Sequence, residues 1–254
     1  MSVMEKLLTR RTYRRFAQKA VPQDVVEDII EAVRLSSCGA NRQAVRLVVV
    51  NKPEDVAEIQ PLVKWAAYLP PEQGTPKADE LPTLYVAVVQ DTAIPGDLNT
   101  DTGIALANMT LAAWDKGVGS CIMGAINKPA LTELLHIKEP EKLAFMVAFG
   151  YPTHEAHIVP LTGETGVKYY LDGQKDYCVP KRSLRRSHGI CKVSLRTTSP
   201  SSLPARSYDR EVFAYIHSFS RYDCISVLKT VSFLSNFCTT LDFFICAIYT
   251  RPVL

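Results

Sequence analysis

The spacing of hydrophobic and polar residues changes along the chain, and each spacing predicts an element. Residues 22–37 open on Pro22, place acids in the first turn, and repeat Val25, Val26, Ile29, Ile30 and Val33 at intervals of three and four. That pattern lines up one apolar face and predicts an amphipathic helix. Val45 to Val50 is a short β-branched run that predicts a buried strand, and Thr83 to Gln90 predicts a second. Pro53 opens a helix expected to reach about Ala67, and the four prolines of 68–82 predict a surface loop. Residues 101–116 are apolar nearly all round, which predicts a central helix ending at Gly117, where a glycine cap belongs. Val118–Met123 and Leu143–Phe149 predict two more strands around a short helix near Pro129–His136, and 166–184 reads as an extended arm. Helices interspersed with strands, and no internal repeat, predict α+β or α/β layering.

After Ser187 the pattern is lost. Residues 188–254 hold ten Ser, six of the nine Phe, four of the seven Cys and a single Gly, with neither helical nor strand periodicity. The expected organisation is therefore a folded body at 1–187 and an atypical, poorly ordered tail at 188–254. Within the tail, Thr230 to Thr250 is long enough to span a bilayer of about 30 Å. Asp242 inside it costs on the order of 3 kcal/mol at a helix centre, so a membrane anchor is not the expected reading. A terminus without selected structure fits the composition better.

Composition narrows the class further. Of 254 residues, 47% are hydrophobic and 22% charged, as in a soluble globular protein with a real core. The net charge of +3 is too small to argue for a nucleic-acid surface, and no nucleic-acid partner is expected. The body balances 22 basic against 22 acidic residues, and the tail, with 7 against 4, carries the excess. Seven cysteines without a C-x-x-C pair read as free thiols, and the N-terminus lacks an apolar signal segment. A cytoplasmic protein is expected.

Four segments carry candidate chemistry. Thr9 to Phe16 packs four arginines around Thr12, giving guanidinium forks and a hydroxyl suited to a phosphate monoester. On composition alone a solvated basic turn is the simpler reading. Ser36-Ser37-Cys38-Gly39-Ala40-Asn41-Arg42-Gln43 combines small residues, which let backbone approach a flat ring, with two amides for a heteroaromatic edge. An ordinary connection rich in turn formers would look the same. Gly117 to Ala125 has glycines near dinucleotide spacing. However, Ile122 holds the third glycine position and the motif precedes a strand, so a Rossmann site is not expected. Its end, Ile122 to Ala125, could instead offer backbone N–H groups to a ring face. Val179-Pro180-Lys181-Arg182-Ser183 brings two cations to the end of the arm.

The order of these segments is more specific than any one of them. Arg-Arg-Thr-x-Arg-x-Phe is followed by Ser-Ser-x-Gly-x-Asn-x-Gln, then by Asp101-x-Gly-Ile-Ala-x-x-Asn-x-x-Leu-Ala-Ala. Gly-x-Gly-Ser-Cys-x-x-Gly, Ala148-Phe-Gly-Tyr-Pro152 and Pro180-Lys-Arg complete the series. The succession resembles the nitroreductase family of small FMN enzymes over about 1–187. Two departures stand out: Gln43-Ala44-Val45 replaces the family's Gln-Pro-Trp, and the chain continues past the usual family end.

The resemblance implies an α+β three-layer sandwich, with a central mixed or antiparallel sheet flanked by helices, assembled as a homodimer. It implies FMN as cofactor and NAD(P)H as co-substrate, with hydride passed in a ping-pong cycle to a nitroaromatic, a quinone or a similar acceptor. It places Arg10, Arg11 and Thr12 at the FMN phosphate, joined by Lys181 and Arg182, and Arg14 near flavin N1 and O2. Ser37, Cys38, Gly39 and Asn41 match the stretch that touches the partner subunit's flavin, and Ile122, Met123, Gly124 and Ala125 match the strand end facing the ring. No side-chain nucleophile is needed, because the cofactor carries the chemistry. A related flavin enzyme with one specific metabolite, or a flavin-binding protein without turnover, are the alternatives.

Other residues have plainer readings. Cys121 fits a small core residue, Cys38 is not expected to do redox work, and Trp65 and Trp114 fit helix packing. His154 and His157 sit in a loop pattern unlike a zinc helix, so no metal is expected.

Overall fold

The computed structural model describes residues 2–183, and the chain divides after Lys181. The atypical segment 188–254 lies outside the described residues. Helix α1 (Val3–Thr9) is one the hydrophobic pattern did not predict; a capping box starts it, with the Ser2 hydroxyl accepting from the Glu5 N–H and the Glu5 carboxylate returning to Ser2. Helix α2 (Gln23–Arg34) buries Val25, Val26 and Ile29 of the predicted face, while Val33 is partly buried and Ile30 is exposed. Strand β1 (Val45–Val50) follows, and then α3 (Pro53–Ile59), which stops well short of Ala67. Pro61 has no N–H to continue the helix; the chain tightens into a 3-10 turn at Gln60–Leu62 and leaves as Val63, which bridges Ile126. The proline-rich stretch holds only a four-residue helix, α4 (Pro71–Gly74), and a 3-10 turn at Ala78–Glu80.

Strand β2 (Leu84–Asp91) leads to α5 (Leu98–Asp115), which starts earlier than Asp101 because the Asp97 carboxylate caps it at the Thr100 N–H. It ends in a Schellman motif: Gly117, at φ +74°, donates to Trp114 O, and Val118 donates to Ala113 O. Strand β3 (Gly119–Met123), α6 (Lys128–Leu134) and β4 (Glu141–Gly150) complete the main body. Strand β5 (Ala156–Pro160) was not expected from the sequence, and the arm expected at 166–184 holds β6 (Tyr170–Leu171) and β7 (Tyr177–Lys181).

The four main strands form an antiparallel sheet in the order β1-β2-β4-β3, with Val48 opposite Ala87, Val86 opposite Val147 and Cys121 opposite Ala148. Alternate residues of β2 serve opposite faces. Leu84, Val86 and Val88 pack with Val147 and Phe149 against α2 and α5. Tyr85, Ala87 and Val89 pack with Met146 and Ala148 against Val56 and Ile59 of α3 and Leu131 of α6. The fold is thus a three-layer α+β sandwich with an antiparallel central sheet. A second sheet, β5-β7-β6, is mixed: β5 runs parallel to β7, and β6 antiparallel to it.

What positions the candidate site is the segment 10–17, which crosses the β3 edge. Tyr13 N donates to Ser120 O at 3.0 Å, and Ala17 N donates to Tyr151 O at 2.8 Å. Two glycines admit it. A Cβ on Gly150 would lie 2.9 Å from Phe16 Cβ and Cδ1, and one on Gly119 would lie 2.6 Å from Pro152. Phe16 is fully buried and cannot swing away. Gly150→Ala is therefore expected to destabilise by about 1–3 kcal/mol through overpacking. A urea midpoint equal to the parent's, at an unchanged slope, would show that the crossing has slack.

Candidate functional site

Arg10 closes α1 and is half-buried; burial lowers its pKa, an effect opposed by Tyr13 nearby. Arg11 is lowered by burial first and then by the charge of Arg10, so two cations sit close together in a partly dry place. The Arg11 guanidinium turns back to Leu7 and Leu8 carbonyls at the end of α1, while its Nε is buried with no partner. Thr12 bridges Ser120 in parallel, which lays the cation series along β3. Neither arginine takes part in the ion pairs of the described residues. Arg14 follows with its guanidinium carbon 4.4 Å from the Tyr169 ring centroid and 4.8 Å from that of Tyr177. It also lies near the buried Cys121 thiol, whose pKa burial pushes up to about 11 against the lowering effect of that charge. Cys121 is a neutral core residue, as its plain reading had it.

The second segment is a strained loop. Ser37 is exposed, while the Ser36 hydroxyl is tied to Asn108 and Ala32. Cys38 accepts the Gln43 N–H, and Gly39 donates to the buried Asp101 carboxylate at 2.9 Å. Ala40, Asn41 and Gln43 take φ values of +50°, +54° and +54°, a region that costs side chains energy. The Asp101 anchor and the Asn41–Gln43 side-chain contact hold them there.

At the end of β3, Ile122 is 41% exposed and Gly124 and Ala125 are open, while the Met123 side chain is buried in the opposite core. Met123 can therefore offer only backbone to a ligand on the open side. The strap 60–81 adjoins this strand end through Lys64 N to Ala125 O at 3.0 Å. It walls a cavity of about 720 Å³ lined by Val63, Trp65, Ala66, Leu69, Pro76 and Leu81 among others. The Trp65 Nε1 is buried without a partner. Lys181 ends β7 and is exposed, as is Arg182 after it.

The family model for the nitroreductase family matches residues 7–151, more than half of the chain. The chain belongs to the nitroreductase family. A relative from Archaeoglobus fulgidus, whose name pairs NADH dehydrogenase with NAD(P)H nitroreductase, is 26% identical over 162 residues, covering 60% of this chain and 86% of that one. Two solved structures share the fold. An FMN-dependent nitroreductase from Clostridium difficile R20291 aligns with a TM-score of 0.52 at 17% identity, over 64% of this chain and 93% of that one. An NADPH:FMN oxidoreductase from Vibrio harveyi, complexed with NAD+, aligns at 0.51 and 21% identity, over 63% and 72%.

Within this nitroreductase-family chain, sequence reasoning missed an aromatic cluster beside Arg14. Trp114 stacks on Tyr13 at 5.1 Å, Tyr13 meets His154 at 5.3 Å, and His154 meets Tyr177 at 5.0 Å. Burial, with the charges of Arg15 and Arg14, pushes the His154 pKa down to about 4, and neither ring nitrogen makes a hydrogen bond of good geometry. His154 is buried while His157 is exposed on β5, and no group of three metal-ligating side chains occurs among the described residues. No helix among them is long and apolar enough to cross a membrane.

Proposed function

We propose that the chain is an FMN-dependent oxidoreductase that takes electrons from NAD(P)H and delivers them to nitroaromatics, quinones or similar acceptors. The observation that carries this is the Thr12–Ser120 bridge, which lays half-buried cations free of carboxylate partners beside a strand whose end is open. The donor set fits FMN: guanidinium groups and a hydroxyl for a terminal phosphate, with no pyrophosphate loop for FAD. Arg10, Arg11 and Thr12 would hold the phosphate with Lys181, and Arg14 would face the pyrimidine edge of the ring.

When bound, FMN supplies two-electron hydride chemistry. The chain's own residues bind and orient it. Arg14 would provide positive charge at the pyrimidine edge of the ring, and the backbone of Ile122, Met123, Gly124 and Ala125 would provide a floor with N–H donors. The cavity walled by the strap is lined mainly by apolar side chains, which suits a planar, poorly hydrated acceptor. Ser37, Cys38, Gly39 and Asn41 would meet the flavin of a second copy, making the working unit a homodimer. Val3, Met4, Leu7 and Leu8 of α1, each between 45% and 63% exposed, give such a partner an apolar surface to cover.

Identifying the released flavin by chromatography and sizing the holoprotein by light scattering test both parts. FMN in a dimer is expected. Extraction of FAD, or a monomer that retains FMN stoichiometrically, would contradict the assignment.

A further inference from the structure

Arg14 carries a charge that no carboxylate neutralises, because it enters none of the ion pairs among the described residues. Instead it sits against the Tyr169 and Tyr177 rings at 4.4 and 4.8 Å. Aromatic faces attract a guanidinium without cancelling its charge. They hold the side chain still and leave its field available to a ligand.

The hairpin that supplies these rings is tightly built. Strands β6 and β7 pair Leu171 with Tyr177 and Tyr170 with Cys178. The Asp172 carboxylate accepts from both Gln174 N and Asp176 N at 2.9 Å, closing the turn between them. Arg15, the next residue after Arg14, donates to Lys175 O at 2.6 Å and pins the hairpin tip to the N-terminal segment. Tyr177 is almost fully buried, backed by His154 and, through it, by Tyr13 and Trp114. Tyr169 packs on Tyr177 at 5.9 Å and accepts the Tyr68 N–H from the strap at 3.4 Å. Neither ring can move far from Arg14 without breaking one of these contacts.

We propose that Tyr169 and Tyr177 are positioning residues that fix the Arg14 guanidinium, uncancelled, toward the flavin, so that the β6–β7 hairpin sets how much more tightly reduced FMN is held than oxidised FMN. This rests on the reading of Arg14 as the cation at the ring. A carboxylate in place of the rings would fix the side chain equally well but remove its charge. A bare loop would leave the charge but lose the position.

The test uses the full chain loaded with FMN and reads the affinity for oxidised FMN together with the two-electron midpoint potential. Tyr169→Leu should weaken reduced FMN relative to oxidised by about tenfold, a fall of ~30 mV for a two-electron couple. Tyr169→Phe keeps the ring and should stay near the parent. Asp172→Ala, which loosens the turn and keeps both rings, should move the potential the same way, and serves if Tyr169→Leu does not fold. On an Arg14→Gln background, Tyr169→Leu should add nothing. If Arg14→Gln lowers the potential while Tyr169→Leu and Asp172→Ala leave it at the parent value, the hairpin does not position the charge and the proposal fails. An additive effect of Tyr169→Leu on the Arg14→Gln background also overturns it. If Arg14→Gln itself leaves the potential unchanged, the placement of Arg14 at the ring is wrong, and that failure is separate from the hairpin's.

Discussion

Lowering the pH from 7 to 5 should cost the protein about 2 kcal/mol of stability through His154, rising to about 3 kcal/mol at pH 4. The ordinary histidine value of 6.5 is pushed down to about 4 here, by burial first and then by Arg15 and Arg14, with only Asp176 and the Arg15 backbone opposing. The unfolded chain thus binds a proton that the folded chain refuses. Unfolding takes up protons between those two values, so stability rises with pH across that window and is nearly complete at pH 7. Carboxylates titrate in the same range, so the informative quantity is the difference between the parent and His154→Leu. Neither imidazole nitrogen has a well-formed partner, so leucine forfeits no hydrogen bond and removes the titration. Urea unfolding at pH 7 and pH 5 should show the variant losing about 2 kcal/mol less than the parent. Equal losses would mean that His154 is protonated in the native protein, and that the Tyr13–His154–Tyr177 contact is looser than it looks.

The largest effect on cofactor binding is expected from Arg10→Ala. A charge-assisted hydrogen bond contributes roughly 1.5–3 kcal/mol, which is about one to two decades in FMN affinity. Arg10 should show this loss more cleanly than Arg11, whose guanidinium already serves the carbonyls of Leu7 and Leu8. Truncating Arg11 removes a cap from α1 as well as a cation, so part of its effect belongs to the fold. Fluorescence titration with FMN separates the two when paired with a thermal melt of the flavin-free protein. Arg10→Ala should weaken binding with little change in the melt. An unchanged dissociation constant would remove Arg10 from the phosphate site.

Much of the sandwich could be read from the sequence because its elements bury one strong pattern each. The β-branched run of β1, the continuous apolar run of β2 and the all-round apolar α5 all appeared close to their expected places. Misses came where a local rule overrode periodicity. Pro61 cut α3 short, and Asp97 started α5 early. The Ser2–Glu5 capping box, visible as Ser-x-x-Glu, made a helix of residues whose apolar side chains stay exposed. Strand β5 has no fully buried residue, so it left no alternation to find. In the site, the N-terminal cations and the small-residue loop were legible as motifs, because each is contiguous. Tyr13, His154, Tyr169 and Tyr177 were not, since three separate segments meet only through the fold. That Met123 turns its side chain into the core follows from strand alternation, which a motif match alone does not apply.

An anaerobic titration of the FMN-loaded protein, followed by its visible absorption, is the decisive measurement of the proposed activity. NADPH or NADH should bleach the oxidised flavin to completion with one equivalent, and a nitroaromatic or a quinone added afterwards should restore it. A protein that keeps its colour in the presence of either nicotinamide, while still holding FMN, would contradict the proposed oxidoreductase activity and leave only a flavin-binding fold.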